Sequence, residues 1–269
     1  MVDLVLFHNA CVDGFTAAFC AWLKFRDEAE YVPVNFGQPA PDVTGRDVLI
    51  VDFSYQRATL LEMRAKAKSL RVFDHHKTAA EDLAGLDFCV FDMDRSGAGI
   101  TLDELFGSRA NRFGPLVSYV EDRDLWRFNL DFSREVNAWI GCVEQTFDNW
   151  HDLAREIHDD LASVIGRGTG ALSAVDRYVR DMSKQARMLR FDGSDVPVVN
   201  APYINTSELV GHLAEAHPFA VGWFQRADAK YQYSLRSRGD VDVSEIAKRY
   251  GGGGHRNAAG FVVAERVTS

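Results

Sequence analysis

The chain opens on a short apolar run, LVLF (4–7), and then repeats the device. YVPVNF (31–36), DVLIVDF (47–53), LRVF (70–73) and LDFCVF (86–91) follow, each separated by more polar stretches. Between the first two runs Phe15, Ala18, Phe19, Trp22 and Leu23 recur at near-helical spacing, which predicts a helix over 14–24. A second helix is predicted over 56–69, and SGAG (96–99) opens a third through TLDELF. DVLIVDF is continuous rather than alternating, as expected of a strand covered on both faces. Pro33 points to an edge strand or a bend. Strands alternating with helices predict an α/β fold, a mostly parallel sheet with flanking helices.

Residues 112–190 read as mainly helical, with one long polar-faced helix over 171–189 acting as a connector. FDGSDVP (191–197) breaks the pattern. A smaller α/β unit follows: a strand at VPVVNA, a helix at SELVGHLAEAH, a hairpin of FAVGWFQ with YQYSLRS, a helix at VSEIAKRY, a glycine run and a last strand at GFVVA. The expected organisation is an N-terminal domain over 1–165, a helical linker over 166–190 and a C-terminal domain over 191–269.

Bulk properties narrow the class. The 269 residues are 46% hydrophobic and 26% charged, as in ordinary globular chains. No apolar stretch approaches the roughly 20 residues a membrane span needs. MVDLVLFHNA lacks a basic region and reads as a first strand, not a signal peptide. Cys11, Cys20, Cys89 and Cys142 have no zinc-ligand spacing and read as reduced thiols, so a cytoplasmic location is expected. The net charge of −9 argues against duplex DNA as a partner. It leaves room for a small phosphorylated substrate in a local basic pocket, and a homodimer is compatible with the sequence.

Candidate chemistry lies where the apolar runs end. LVLF ends on His8, with Asp13 in the turn beyond it. VLIV ends on Asp52, LRVF on Asp74, His75 and His76, and LVSYV (116–120) on Glu121, Asp122, Arg123 and Asp124. Carboxyl ends of parallel strands share one edge, where ligands sit at the topological switch point. An aspartate after a strand is usually a turn former or helix cap, and Asp52 fits that role ahead of helix 56–69. Caps, however, have no use for His8, His75 and His76. Carboxylates with imidazoles suit a hard or borderline divalent cation, Mn²⁺ first, with Mg²⁺ or Co²⁺ as substitutes. Two such ions about 3.5–4 Å apart would share a carboxylate and act on phosphorus.

In the C-terminal unit, GGGGHRNAAG reads as a backbone cradle for an anion, formed by Gly253 and Gly254 and completed by His255. Arg236 is the candidate for a forked contact to a terminal phosphate. Arg238, Lys248, Arg249 and Arg256 add local positive charge.

FDHHKT (73–78) resembles the signature of the DHH phosphoesterase superfamily, with FHNACVDG as its first motif and VDFS as its second. SGAG and VEDRDLW resemble later elements, and SLRSRGDVDVSEIAKRYGGGGHRNAAGF resembles the DHH-associated C-terminal domain. The resemblance spans essentially the whole chain. It implies a catalytic metal-binding domain and a substrate-binding domain, two Mn²⁺ ions, and hydrolysis of phosphate esters. By position it implies His8, Asp13, Asp52, His75 and Asp122 as metal ligands, with Asp52 bridging and Asp124 the alternative to Asp122. Asp74 would orient an imidazole, and His76 would face the scissile phosphate. Expected substrates are short single-stranded oligonucleotides or small nucleotides. The superfamily's first motif usually carries two aspartates, whereas this chain has Cys11 at the first position; a weaker site, altered metal preference or lost catalysis are all open. Alternative readings are a nucleotide-binding sensor without turnover and a pyrophosphate or polyphosphate hydrolase.

Overall fold

A computed structural model describes residues 2–9, 11–107 and 112–267. The chain divides into two compact units, residues 1–172 and 173–269.

The first unit contains β1 (Leu4–His8), α1 (Val12–Phe25), β2 (Glu30–Val34), β3 (Asp47–Val51), α2 (Arg57–Lys66), β4 (Ser69–Asp74), α3 (Lys77–Asp82) and β5 (Cys89–Phe91). There follow α4 (Gly97–Phe106), α5 (Gly114–Asp124), α6 (Ser133–Ile140), α7 (Phe147–Asp159) and the start of α8 (Leu161–Ser183). The five strands form one parallel sheet in the order β2-β1-β3-β4-β5. The chain winds outward from β1 to β2, then returns to place β3 on the other side of β1. The switch point therefore lies between β1 and β3.

Strand alternation sends side chains to two cores. Val5, Phe7, Leu49, Val51 and Phe73 pack with Phe15 and Phe19 of α1 and with Leu116 and Val120 of α5. Leu4, Leu6, Val48, Ile50 and Val72 pack on the other face with Leu60 and Met63 of α2. With both faces covered, polar positions can converge only at the strand ends. Pro33 lies on the edge strand β2, paired with Phe7, where a missing N–H costs no interior ladder bond.

The second unit forms a six-stranded sheet in the order β10-β11-β9-β8-β7-β6. Its elements are β6 (Arg187–Phe191), β7 (Ser194–Asn200), α9 (Thr206–Leu213), β8 (Ala220–Gln225), β9 (Tyr231–Arg236), α10 (Val243–Arg249), β10 (Gly253–His255) and β11 (Ala258–Val263). Only β7 and β8 run parallel among the paired strands described.

Three elements differ from the sequence reading. The helix expected over 171–189 ends at Ser183, because RMLRF forms β6 and pairs antiparallel with β7 through the turn at Asp192 and Gly193. Its last turns are no bare connector: Tyr178, Val179 and Met182 pack against Val199, Leu209 and Val210. The helix expected over 56–69 stops at Lys66, since Ser69 already pairs with Asp47. LVSYVEDRD is helix α5, so its acidic residues follow a helical period.

Within α8 three glycines stand two residues apart, and the structure separates their roles. A Cβ at Gly168 would lie 1.9 Å from the Glu135 carbonyl oxygen, while at Gly166 it would meet nothing within 4 Å. Gly166→Ala is expected to raise stability by about 0.5–1 kcal/mol, the usual helical gain. Gly168→Ala is expected to lower it by about 1–3 kcal/mol by overpacking. Urea unfolding of the two variants checks this difference in sign.

Candidate active site

Asp52 follows β3 directly and adopts a left-handed conformation, φ 52°, which aspartate tolerates better than most residues. Its N–H donates to the Phe73 carbonyl at 2.8 Å, fixing it beside the end of β4. The expected cap role is absent: α2 begins at Arg57, Gln56 occupies the cap position, and neither Asp52 oxygen accepts a hydrogen bond. The residue is 1% exposed. What surrounds it is the set of imidazoles and carboxylates picked out in the sequence.

His75 Nε2 lies 3.1 Å from Asp52 Oδ1, 3.5 Å from Asp124 Oδ2 and 3.7 Å from Asp13 Oδ2. His8 Nδ1, at the end of β1, lies 3.6 Å from Asp52 Oδ2. Three groups of candidate ligand atoms share Asp52, each with all atoms within 4.8 Å: Asp13, Asp52 and His75; His8, Cys11 and Asp52; and Asp52, Asp74 and His76. Two glycines make this approach possible. A Cβ on Gly97 would sit 2.5 Å from the Asp52 Cβ, and one on Gly14 would sit 3.0 Å from Asp52 Oδ2.

Asp13 does two jobs. It accepts from the Gly97 N–H at 2.6 Å and the Ala98 N–H at 3.1 Å, so it binds the N-terminus of α4. A carboxylate has about four lone-pair directions, which leaves capacity facing His75. Asp74 accepts from the backbone N–H groups of His75 (2.7 Å) and His76 (3.2 Å), and its Oδ1 lies 2.7 Å from His76 Nδ1. The imidazole it orients is thus that of His76.

Asp122 does not join the cluster. Its carboxylate accepts from the N–H groups of Asn129 (2.8 Å) and Leu130 (3.2 Å) and fastens the turn after α5. Asp124 faces His75 instead. On a helix two residues subtend about 200°, so the two carboxylates point to nearly opposite sides and only one can reach the site. Glu121 takes a third direction, accepting from Arg95 Nε and Ser96 N at 2.9 Å and holding the start of α4.

The electrostatics follow from burial and crowding. Burial opposes ionisation of Asp52, but the His75 and His8 imidazoles outweigh it and hold the carboxyl well below its usual range. Burial, then the Asp52 and Asp124 carboxylates, push Asp13 well up. Burial disfavours charge on His75, yet Asp52, Asp124 and Asp13 together raise it well above its usual value. Burial, followed by Asp52, Asp124 and Asp13, holds the Cys11 thiol far up. Burial also opposes charge on His76, and Asp74 overrides it, so His76 is raised. Buried carboxylates this close are costly unless positive charge joins them. Their oxygen and imidazole donors fit a divalent cation.

The sequence reading did not find Phe36. It is 60% exposed, with ring centroids 5.2 Å from His8, 6.0 Å from His76 and 4.8 Å from Phe53. A lone aromatic after an edge strand carries no sequence signal of such a position.

In the second unit, His255 pairs with Ala258, which pairs with Arg236 across β11. Arg236 and His255 therefore share one row of the sheet, two strand spacings or about 10 Å apart. Arg236 donates to Ser207 Oγ at 2.8 Å. Gly254 has φ 137°, and Cβ atoms at Gly252 and Gly254 would lie 2.1 Å from the Gly260 oxygen and 2.6 Å from the Ala258 oxygen. At those two positions the run makes room for β11, and Gly253–His255 form a strand rather than a linker. Arg238 pairs with Glu215, Lys248 with Glu245 and Arg249 with Asp192, so these cations are largely neutralised.

Acids and histidines are thus gathered at the switch point of a parallel sheet. Residues 200–268 match the DHHA1 domain. Over 97% of its length the chain is 30% identical to the uncharacterised protein R106 of Acanthamoeba polyphaga mimivirus, covering 67% of that protein. It is 23% identical to the oligoribonuclease NrnB of Bacillus subtilis, over 97% of this chain and 73% of that one. Exonuclease RecJ bound to manganese has the same fold, with a TM-score of 0.53 at 16% identity, covering 97% of this chain and 85% of that one. The chain belongs to the DHH superfamily of phosphoesterases. Among the described residues no helix is long and apolar enough to cross a membrane.

The two aspartates of α5 separate experimentally. Asp122→Asn is expected to lower stability by about 1–3 kcal/mol while leaving divalent-cation binding intact. Asp124→Asn is expected to weaken that binding at least about tenfold without destabilising the cation-free protein, because it removes one of the crowded carboxylates. Thermal melts with and without Mn²⁺ check both.

Proposed function

We propose that the protein hydrolyses phosphate esters of short single-stranded oligonucleotides or small nucleotides, using two divalent cations, Mn²⁺ foremost. The observation that carries this reading is Asp52: buried, accepting no hydrogen bond, and common to three groups of candidate ligands. Asp13, Asp52, His75 and Asp124 would hold one cation, and His8 with Asp52 the other. When bound, such cations supply Lewis-acid stabilisation of charge at phosphorus and make water more acidic.

The chain's own residues do the rest. Asp74 holds His76 in one orientation and keeps it protonated to higher pH, so the imidazole can neutralise charge on a phosphoryl oxygen or protonate the leaving oxygen. Phe36 offers an exposed face beside these histidines on which a base can stack, a contact typically worth about 1–3 kcal/mol. Arg236, Gly253, Gly254 and His255 are the proposed holders of a second phosphate of the substrate. Residues 1–172 are the catalytic part and 173–269 the substrate-binding part in this reading. NrnB, an oligoribonuclease, and RecJ, an exonuclease crystallised with manganese, support the choice of substrate class and cation.

Purified protein incubated with Mn²⁺ and a 5′-phosphorylated RNA dinucleotide, with 3′-phosphoadenosine 5′-phosphate and pyrophosphate in parallel, tests the reading by chromatography. Mononucleotide release is expected, with Asp52→Ala slowing it by roughly 10³-fold, equivalent to about 4 kcal/mol. A bound dinucleotide that stays intact would favour a sensor, and turnover of pyrophosphate alone would favour the anhydride hydrolase.

His76 acting as an acid gives a pH prediction of defined sign. Activity that needs its proton is lost as pH rises through its pKa, which Asp74 elevates. Asp74→Asn removes that support, so the alkaline limb of the kcat profile is expected to move to lower pH. A limb that stays in place would show that His76 is not the proton donor.

A further inference from the structure

Two of the groups of candidate ligands that share Asp52 are chemically unlike. One is built from Asp13, Asp52 and His75, with Asp124 Oδ2 3.5 Å from His75 Nε2, and is dominated by carboxylate oxygens. The other is His8, Cys11 and Asp52, which offers one nitrogen, one sulfur and one oxygen with all three atoms within 4.8 Å. Cys11 occupies the cap position of the 14-residue helix α1, yet its side chain makes no capping hydrogen bond. His8 Nδ1 and both oxygens of the 98–99% buried Asp52 are likewise without hydrogen bonds. Three donors of different softness thus lie within 4.8 Å of one another. No other cysteine joins a ligand group among the described residues; Cys20, for instance, is buried with its thiol directed at the Ala98 carbonyl.

Ligand softness decides which cation such positions hold. Carboxylates suit Mn²⁺ and Mg²⁺, whereas thiolate with imidazole suits Zn²⁺ and comparable borderline-soft ions.

We infer that the cation site is asymmetric: Cys11 is a thiolate ligand that, with His8 and Asp52, forms a position selective for a borderline-soft divalent cation such as Zn²⁺ or Co²⁺. The oxygen-rich position beside it takes the harder ion. This rests on the metal reading of the proposed function and adds the identity of one ligand and the class of ion it selects. On binding, the Cys11 sulfur forms the bond to the cation and its proton passes to solvent. The chain therefore carries a mixed pair of positions rather than two equivalent hard ones.

The full chain loaded with Zn²⁺ and studied by X-ray absorption is expected to show a sulfur neighbour at about 2.3 Å beside nitrogen and oxygen at about 2.0–2.2 Å. Loaded with Co²⁺, it is expected to show a thiolate-to-cobalt charge-transfer band in the near ultraviolet. Cys11→Ser abolishes both signals and lowers the cation stoichiometry or affinity of one position only. Cys142→Ser, at an exposed cysteine outside either group, preserves both signals. In competition dialysis, Cys11→Asp shifts the Zn²⁺-over-Mn²⁺ preference of that position at least about tenfold toward Mn²⁺. Two cations bound per chain with a shell of nitrogen and oxygen alone would overturn the thiolate assignment while leaving the metal reading intact. Wild-type protein that binds neither cation more tightly than Asp52→Ala would overturn both.

Discussion

Asp52 carries a carboxylate to the end of a strand that is covered on both faces and leaves it 1% exposed to water. The effective cost of burying such an ion is several kcal/mol, and around it the local structure is arranged to offset that cost. The His75 and His8 imidazoles lie 3.1 and 3.6 Å from its oxygens. Asp13, which would otherwise add only repulsion, is tied to the N-terminus of α4 by two N–H groups. Gly14 and Gly97 give up side chains so that β1, α1 and α4 can close on the carboxylate. The left-handed turn at Asp52, the close approaches at Gly14 and Gly97 and the start of α4 after Ser96 all lie around this one buried carboxylate. Crowded buried carboxylates whose acceptor atoms lack hydrogen bonds differ from a well-satisfied core and suit an added positive charge.

Most of the first unit could be read from the chain because a parallel sheet covered on both faces leaves a plain trace. Each buried strand is a continuous apolar run, and the only polar residues it can tolerate are at its ends, so His8, Asp52 and Asp74 to His76 announce the site edge. What stayed hidden depended on period. Asp122 and Asp124 are equivalent candidates as letters, but on α5 they face nearly opposite ways, and the one fastened to Asn129 and Leu130 is lost to the site. β6 was hidden for the opposite reason. As an edge strand with Arg187, Met188 and Arg190 exposed, it lacks an apolar run, and its arginines and leucine extend the preceding helical pattern without a visible stop.

The glycine run of the second unit shows how a motif can have two physical readings that are not exclusive. Gly252 and Gly254 are required where β10 meets β11, since any side chain there would overlap the backbone of Gly260 or Ala258. That explains the composition without reference to a ligand. The row formed by His255, Ala258 and Arg236 is a separate matter of register, and close pairing of β10 with β11 is what fixes it. The packing role therefore does not compete with a binding role. It places the two candidate side chains at a defined spacing.

Charge completes the picture of what such a surface can hold. Arg238, Lys248 and Arg249, which add to the positive count in the sequence, each sit against a carboxylate, and Arg256 donates to the Asp240 carbonyl. Exposed ion pairs of this kind contribute little stability but do cancel the field their cations would project. A long polyanion gains by neutralising many phosphates at once, which a net charge of −9 does not favour. A substrate with one or two phosphates needs only local contacts, a forked guanidinium and a few oriented N–H groups, which act at hydrogen-bond range where net charge matters least.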